Sequence, residues 1–483
     1  MLLALVLIPI LASLAILGGV NARLAAISAA GVNLAIGLAA ALSPDSTSFW
    51  NFSLNVLERP DINLSLGLMD GMSRVMLLLC VIVTFAAVLS GKAPEGRERL
   101  YHSSSLLISA GAIGAFISTD LFFFYAFHEL ALIPTFLMIG ILGRGDRRAV
   151  AWKITVYLGL GSLVLLAGLL WLANAVGTFS IPEMLAQVGE SVSIDPAAQK
   201  GIAALLIIGF GILVSLFPFH SWAAPAYASA PAPTSMLHAG VLKKFGLYGL
   251  LRLAVPLLPE GMSAWLIPLC VLLLGNILWV GLVTINQKRL DLMLGNSSVM
   301  HMGYIFLAVA ALSVLGQENQ IALPAAVILM FAHGISIAML FALTDRIERV
   351  TGTLDLDKLG GLAKSAPALA FLFGLVGMAS IGLPGLANFA GEVMVFIASF
   401  ANYDPAAGLG PVQITCIIAI AGVVISAVYM LRAYRKIFQG PTVKSTETAP
   451  DMTLVERIPA LVLAVTLLAV GLYPNLLLSL LNR

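Results

Sequence analysis

The sequence predicts an all-α polytopic membrane protein with about fourteen transmembrane helices, and three observations carry that expectation. The chain of 483 residues is 60% hydrophobic and only 10% charged, with a mean hydropathy of +1.01. A soluble chain carries about 25% charged residues, so this composition excludes a soluble enzyme, a nucleic-acid binder and a disordered scaffold. Its apolar residues fall in runs of about 20, the length a bilayer span needs and too long for barrel strands.

The first run, 2–20, has no basic residue ahead of it and no small-residue cleavage site after Gly18-Gly19, so it reads as the first span and not as a signal peptide. Arg23 separates it from 24–42, and the next run is 68–90. Only Ser118-Thr119-Asp120 divide 103–119 from 121–142, and Arg144, Arg147 and Arg148 precede 151–174. The seventh run, 201–222, is broken by Phe217-Pro218-Phe219, because proline removes an amide donor and clashes with the preceding turn. Runs at 235–256, 263–285, 294–315 and 320–344 follow. The run 366–400 is too long for one straight span and is broken at Gly382-Leu383-Pro384-Gly385; 412–432 and 458–481 complete the set.

Broken helices five spans apart, hence in opposite orientation, point to inverted repeats whose ion sites lie at the bilayer midplane. The expected organisation is an N-terminal three-helix segment (1–102), two inverted repeats of five helices (103–257 and 258–432) with breaks in helices 7 and 12 at Pro218 and Pro384, and a C-terminal loop with the last helix (433–483). Basic residues gather in alternate loops: Lys92, Arg97 and Arg99; Lys288 and Arg289; Arg346 and Arg349; Arg432, Arg435 and Lys436. These loops should face the cytoplasm. Acids such as Asp45, Asp61, Glu183, Glu260 and Asp404 mark the opposite side, so both termini are expected outside.

A net charge of +2 implies no polyanion partner. Cys80, Cys270 and Cys416 are isolated within apolar runs and make neither a disulfide framework nor a metal or iron–sulfur motif. With no HExxH, CxxC, P-loop or GxGxxG, the chain is expected to bind no metal and no redox cofactor of its own.

The charges inside apolar runs are the candidate functional residues. Glu129 lies in FFFYAFHELALIP, Lys243 and Lys244 in LHAGVLKKFGLYGLL, and Glu392 in ANFAGEVMVFIASF. A charge at the bilayer centre costs about 2.5–3.5 kcal/mol or more. A structural ion pair would explain one such residue; three charged spans, two beside Pro or Gly breaks, fit a proton relay better. Burial and neighbouring charges move Glu and Lys affinities in opposite directions, so each can change protonation when a nearby charge moves. Histidine suits the intermediate steps. His128, His220, His238, His301 and His333 lie in or at the ends of spans, with His220 beside a break, whereas His102 is expected to be solvated in a loop.

At these residues the chain resembles the antiporter-like subunit M (chain 4) family of proton-pumping NADH:quinone oxidoreductase, respiratory complex I. The likeness runs from about Leu68 to Phe438 and rests on FYAFHELALIPTFLMIG, FPFHSWAAPAYASAPAPTSMLHAGVLKKFGLYGLLR, SSVMHMGYIF, FAHGISIAMLFAL and GLPGLANFAGEVMVFIASF taken together. It implies fourteen spans with the seventh and twelfth broken. It implies that Glu129 modulates a neighbouring lysine, that Lys244, followed by Tyr248-Gly249, is the central lysine, and that Glu392 is the terminal acid, where L and N subunits and antiporter chains usually carry lysine. It further implies NADH oxidation and quinone reduction in other chains that hold the flavin and iron–sulfur clusters. The expected partners are L- and N-type membrane subunits, lipid and protons, with no nucleic acid, in a bacterial-type inner membrane; the chain's end at Arg483 agrees with an M subunit, which lacks the lateral helix of L.

Two departures qualify the likeness. The family's lysine five residues before the proline of P-x-H-x-W is Leu213 here, and NQKRLDLMLGNSS permutes the family's Q-x-D-x-K-R-L. They leave open a divergent paralogue serving as scaffold, a related membrane-bound complex, or a cation/proton antiporter subunit driven by an ion gradient. With Leu213 apolar, Glu129 needs another neighbour, and Lys243 or His220 is expected to turn toward it while Lys244 keeps the central position.

Overall fold

The computed structural model describes residues 1–43 and 50–481; Asp45, expected on the outer side, lies outside them. The chain is a multi-pass helical membrane protein. Among the described residues eleven helices are long and apolar enough to cross a bilayer, and Leu2–Leu17, Pro367–Ile381 and Ala387–Ser399 are shorter apolar helices. Residues 232–257 are also helical apart from a turn at Lys243, with π turns at His238–Leu242 and Leu250–Ala254 interrupting the α pattern.

Burial sorts the helices. Gly71–Ser90, Glu98–Ile117, Leu290–Leu315 and Ala322–Thr351 are covered on nearly all sides, whereas Ala22–Leu42, Leu121–Leu142, Arg147–Val176, Pro411–Phe438 and Leu454–Leu472 turn an apolar face outward. Trp152, Leu160, Leu163 and Val424 on that rim are more than half exposed. Such residues would be a liability in water, and their exposure is the expected result of a hydrocarbon solvent.

Both broken runs end their first helix in the left-handed region. Pro196–Val214 stops at Ser215 (φ 68°) and Pro367–Ile381 at Gly382 (φ 80°). Backbone groups freed at depth need new partners. At the first break Asn276 supplies them: its Oδ1 accepts from Phe217 N–H at 2.6 Å, and its Nδ2 donates to the Ser215 and Val299 carbonyls at 3.0 and 2.9 Å. Trp222 Nε1 donates to the Ile212 carbonyl at 3.1 Å. At the crossing of residues 232–257 with Ala322–Thr351, Gly240 meets Gly334: a Cβ on Gly334 would lie 2.6 Å from the Gly240 carbonyl oxygen. Only glycine permits that approach, and it brings the lysine-bearing turn against His333.

Two features differ from the sequence expectation. The segment between Ala22–Leu42 and Gly71–Ser90 carries an antiparallel hairpin, Phe52–Glu58 with Asp61–Leu66, tied down by Asp120, which accepts from Asn63 N–H at 2.9 Å. Alternating Leu54, Val56, Leu64 and Leu66 around Arg59-Pro60 is a strand signal too short to register against the bilayer-length runs. His102 is buried in the first turns of Glu98–Ile117, not solvated, because that helix starts well before its apolar run.

Asn276→Leu removes the partners of three buried backbone groups, each worth roughly 1–3 kcal/mol when orphaned. A marked drop in the thermal midpoint of the detergent-solubilised protein is the expected result, and an unchanged midpoint would show that the break does not depend on Asn276.

Candidate functional site

The site is built at the first π turn, His238–Leu242, where residues 232–257 meet Ala322–Thr351. Consecutive residues on a helix point about 100° apart, so Lys243 and Lys244 diverge. Lys244, fully buried, directs Nζ to the Ala239 carbonyl at 2.6 Å, inside the π turn, and to His333 Nδ1 at 2.9 Å. An amine and an imidazole nitrogen at that separation share one proton in a single hydrogen bond, and either can hold it. The His333 ring lies 5.7 Å from the His301 ring. His301 contacts two carbonyls, Ser297 through Nδ1 at 2.8 Å and Ser380 through Nε2 at 2.9 Å. Both contacts are hydrogen bonds only when the ring carries two protons, since the neutral ring aims one lone pair at a carbonyl.

Ser380 belongs to the last turn of Pro367–Ile381, and beyond the break Glu392 on Ala387–Ser399 folds its buried carboxyl back over Gly382. A Cβ on Gly382 would fall on that carboxyl, so the glycine serves both the left-handed turn and the seat of the acid. Lys244, His333, His301 and Glu392 thus line one region between Leu290–Leu315, Ala322–Thr351 and the second break. Lys243 joins from the side, with Nζ 3.4 Å from Ser298 Oγ and 5.6 Å from the centre of the Tyr227 ring. His238 is buried against Trp222 and Tyr227, its Nδ1 3.4 Å from the Tyr227 hydroxyl. His220 stacks on Phe217 at the first break.

Glu129 stands apart. Its Oε1 accepts from Ser162 Oγ at 2.6 Å and lies 3.4 Å from His128 Nδ1. The carboxyl opens onto a crevice of about 270 Å³ between Leu121–Leu142 and Arg147–Val176, walled by Ile133, Phe136, Ile154 and Leu158 with Thr135 and Thr155. Its side chain is 33% exposed. Its neighbour His128 stacks on Phe245, the residue after Lys244, at 4.2 Å between ring centroids. The anticipated turn of Lys243 or His220 toward Glu129 is not the arrangement found; Leu213 packs beside Gly161, and the next residue, Ser162, donates to the carboxyl. The neighbour of Glu129 is the adjacent His128, in place of the expected His220 or Lys243. Adjacent helical residues diverge at Cβ, but a long glutamate and a histidine can curl together. Among the described residues, no group of three or more His, Cys, Asp or Glu forms a metal cluster.

Residues 118–432 match the family described as NADH:quinone oxidoreductase/Mrp antiporter, transmembrane. This chain belongs to that family. It is 34% identical over 484 residues to NAD(P)H-quinone oxidoreductase chain 4 1 of Synechococcus sp., an alignment covering 98% of this chain and 90% of the relative. It is 32% identical over 424 residues to F(420)H(2) dehydrogenase subunit M of Methanosarcina mazei, covering 86% and 81% of the two chains. Among solved structures, a chain of respiratory complex I from Thermus thermophilus with bound NADH superposes with a TM-score of 0.89 at 27% identity, over 100% of this chain and 97% of that one. The Mrp complex from Dietzia sp. contains a chain of the same fold, with a TM-score of 0.82 at 23% identity over 99% and 95%. The four charged positions of this antiporter-like chain, Glu129, Lys243, Lys244 and Glu392, fall inside the matched region.

Gly382→Ala tests the seat of Glu392. It forces a side chain into the left-handed region, at a cost of about 1–2 kcal/mol, and displaces the carboxyl. A changed Glu392 carbonyl stretch in infrared difference spectra is expected; an unaltered band in a folded variant would place the carboxyl elsewhere.

Proposed function

We propose that this chain is a proton-translocating membrane subunit of an NADH:quinone oxidoreductase-type complex, coupling electron transfer in other chains to proton movement through Lys244, His333, His301 and Glu392. The observation that carries the reading is the Lys244 Nζ to His333 Nδ1 contact of 2.9 Å, a shared-proton hydrogen bond sealed in the membrane interior. Lys244 takes a proton from the cytoplasmic side, His333 accepts it across that bond, and His301 holds it between two carbonyls. Glu392 receives it at the second break. Lys243 adds a second positive charge beside Lys244 and modulates its proton affinity.

The name of the Synechococcus relative and the likeness to a chain of complex I support the oxidoreductase setting. In this proposal flavin and iron–sulfur clusters reside in partner subunits, L- and N-type membrane subunits flank the chain, and it binds no redox cofactor. The basic residues of alternate loops support a cytoplasmic face there, both termini outside, and an inner-membrane location. Residues 103–257 and 258–432 act as inverted half-channels, a division supported by the paired left-handed breaks at Ser215 and Gly382. His238 and His220 border the first half-channel, and Glu129, with His128 in place of the missing lysine, senses the charge state of whatever neighbour covers its crevice. A cation/proton antiporter role is the second reading, favoured by the shared fold of the Mrp chain.

The relay makes a direct prediction in the complex reconstituted into vesicles. Lys244→Met and Glu392→Gln should each abolish most proton pumping per quinone reduced, while Glu129→Gln, which keeps the shape, should lower pumping and quinone reduction together. Wild-type pumping in Lys244→Met would sink the relay.

A further inference from the structure

Side chains outside the relay surround His301, and they bear on which of its two nitrogens carries the proton that moves. Ser297 stands one turn before His301 on Leu290–Leu315, and residues four apart share a helix face. His301 Nδ1 lies 2.8 Å from the Ser297 carbonyl oxygen and 3.5 Å from Ser297 Oγ. Ser297 Oγ in turn lies 2.7 Å from the Tyr429 hydroxyl, and that hydroxyl donates to Met300 Sδ at 3.7 Å. Tyr429 reaches in from Pro411–Phe438 and is completely buried, although Val424 and Val428 of the same helix face outward. The rings nearest His301 are committed elsewhere: His333, at 5.7 Å, shares its Nδ1 with Lys244, and Tyr304, at 6.2 Å, donates its hydroxyl to the Ala419 carbonyl at 3.3 Å. Among the described residues, the Ser297 hydroxyl is the one side-chain donor that reaches a His301 nitrogen.

A neutral ring aims one lone pair at a carbonyl whichever proton it keeps, so the favoured form is the one whose opposed carbonyl can draw back. The Ser297 carbonyl cannot: it lies inside a regular helix, on the same element that carries the ring. The Ser380 carbonyl, 2.9 Å from Nε2, can. It is among the last four of Pro367–Ile381, which no amide of their own helix holds, and it lies two residues before the left-handed Gly382. The hydroxyls point the same way. With Nδ1 protonated, Ser297 donates to the Tyr429 oxygen and Tyr429 donates to the thioether, an acceptor that never donates. To serve a bare Nδ1, the Ser297 hydroxyl must leave a partner at 2.7 Å for one at 3.5 Å, where a hydrogen bond is weak, and Tyr429 must leave Met300. We propose that Tyr429, acting through the Ser297 hydroxyl, holds His301 as its Nδ1–H tautomer, which makes Nε2, on the side of the second break, the nitrogen that gains and loses the proton. The inference deepens the relay reading and takes the proton's destination from it. On release the Nε2–H bond breaks with its electron pair left on Nε2, the ring is neutral with Nδ1–H intact, and the Glu392 carboxylate ends as the acid. Tyr429 touches neither the moving proton nor the acid; it is a positioning residue.

Nitrogen NMR of the full chain in lipid bilayers, labelled at its six histidines, reads the tautomer without any pumping, and the signal missing from His301→Gln assigns the ring. As pH rises and the ring loses its charge, Nδ1 should keep the signature of a proton-bearing nitrogen while Nε2 takes that of a bare one. Tyr429→Phe removes the oxygen that holds the Ser297 proton, frees that hydroxyl for Nδ1 and should bring up the Nε2–H form. The double variant Ser297→Ala, Tyr429→Phe has no hydroxyl to offer and should return to the wild-type pattern, a reversal that a loosened fold does not produce. In the assembled complex Tyr429→Phe should lower the protons moved per quinone reduced, and adding Ser297→Ala should recover part of the loss. An Nε2–H ring in the neutral wild type, two proton-bearing nitrogens at every pH the fold survives, or a Tyr429→Phe spectrum like the wild type overturns the assignment; the first two need no variant of Tyr429. The relay fails separately, since wild-type pumping in Lys244→Met beside an Nδ1–H ring sinks the relay and leaves the tautomer standing.

Discussion

A lysine amine buried in the middle of a membrane protein must have donors and acceptors matched, and the surroundings of Lys244 are arranged to do that. A regular α-helix has no carbonyl to spare, because each is taken by an amide four residues on. The π turn at His238–Leu242 changes that pattern just ahead of the lysine, and the Ala239 carbonyl receives Nζ. The Gly240–Gly334 contact then brings the next helix close enough for His333 to take a second hydrogen bond. Helix distortion, glycine contact and lysine are one construction. Without the distortion the charge lacks a carbonyl, and without the glycines it lacks the histidine.

The intramembrane charges of the chain sit in two different surroundings. Around the second break Lys244, brought in by residues 232–257, meets His333, His301 is held by the Ser380 carbonyl, and Glu392 is buried over Gly382. Glu129, by contrast, faces a crevice at the rim, with His128 and Ser162 beside it and Phe245 stacked on His128. A carboxylate one third exposed on an apolar face is costly in lipid and less so against a protein neighbour. Leu213 fits this arrangement: an aliphatic residue there supplies no cation to the carboxyl and leaves it answerable to the outside of the chain.

Much of the architecture was legible in the sequence because the bilayer imposes one length and one solvent on every span, and the runs at 121–142 and 294–315 needed no tertiary information. The breaks were legible because Pro218 and Pro384 cannot continue a helix. Lys244 and Glu392 stood out through the energetic cost of charge in apolar runs. What escaped depended on side-chain reach or on partners distant in sequence. Asp70 sits at the edge of a run and its ion-pair partner Arg252 near the end of another, 182 residues apart, so each reads singly as an ordinary interfacial charge. His128 escaped as a partner for Glu129 because Cβ directions were followed where side-chain length decides. The hairpin at 52–66 and the buried His102 were lost for a simpler reason, that hydropathy locates apolar runs and neither lies in one.

The two broken helices share a backbone solution and differ in what completes it. At the first, the freed groups around Ser215 and Phe217 are met by Asn276, an amide that cannot titrate, so this break keeps its partners whatever the proton distribution. At the second, the Ser380 carbonyl is met by His301 Nε2. A ring that loses that proton offers the carbonyl a lone pair in place of a donor, and the two repel. The last turn before Gly382 therefore has one favourable partner set when His301 is charged and another when it is neutral. Gly382 is also where the Glu392 carboxyl rests, so a shift of that turn is felt by the acid directly. The first break is thus completed by a side chain that carries no titratable proton, and the second by one that does.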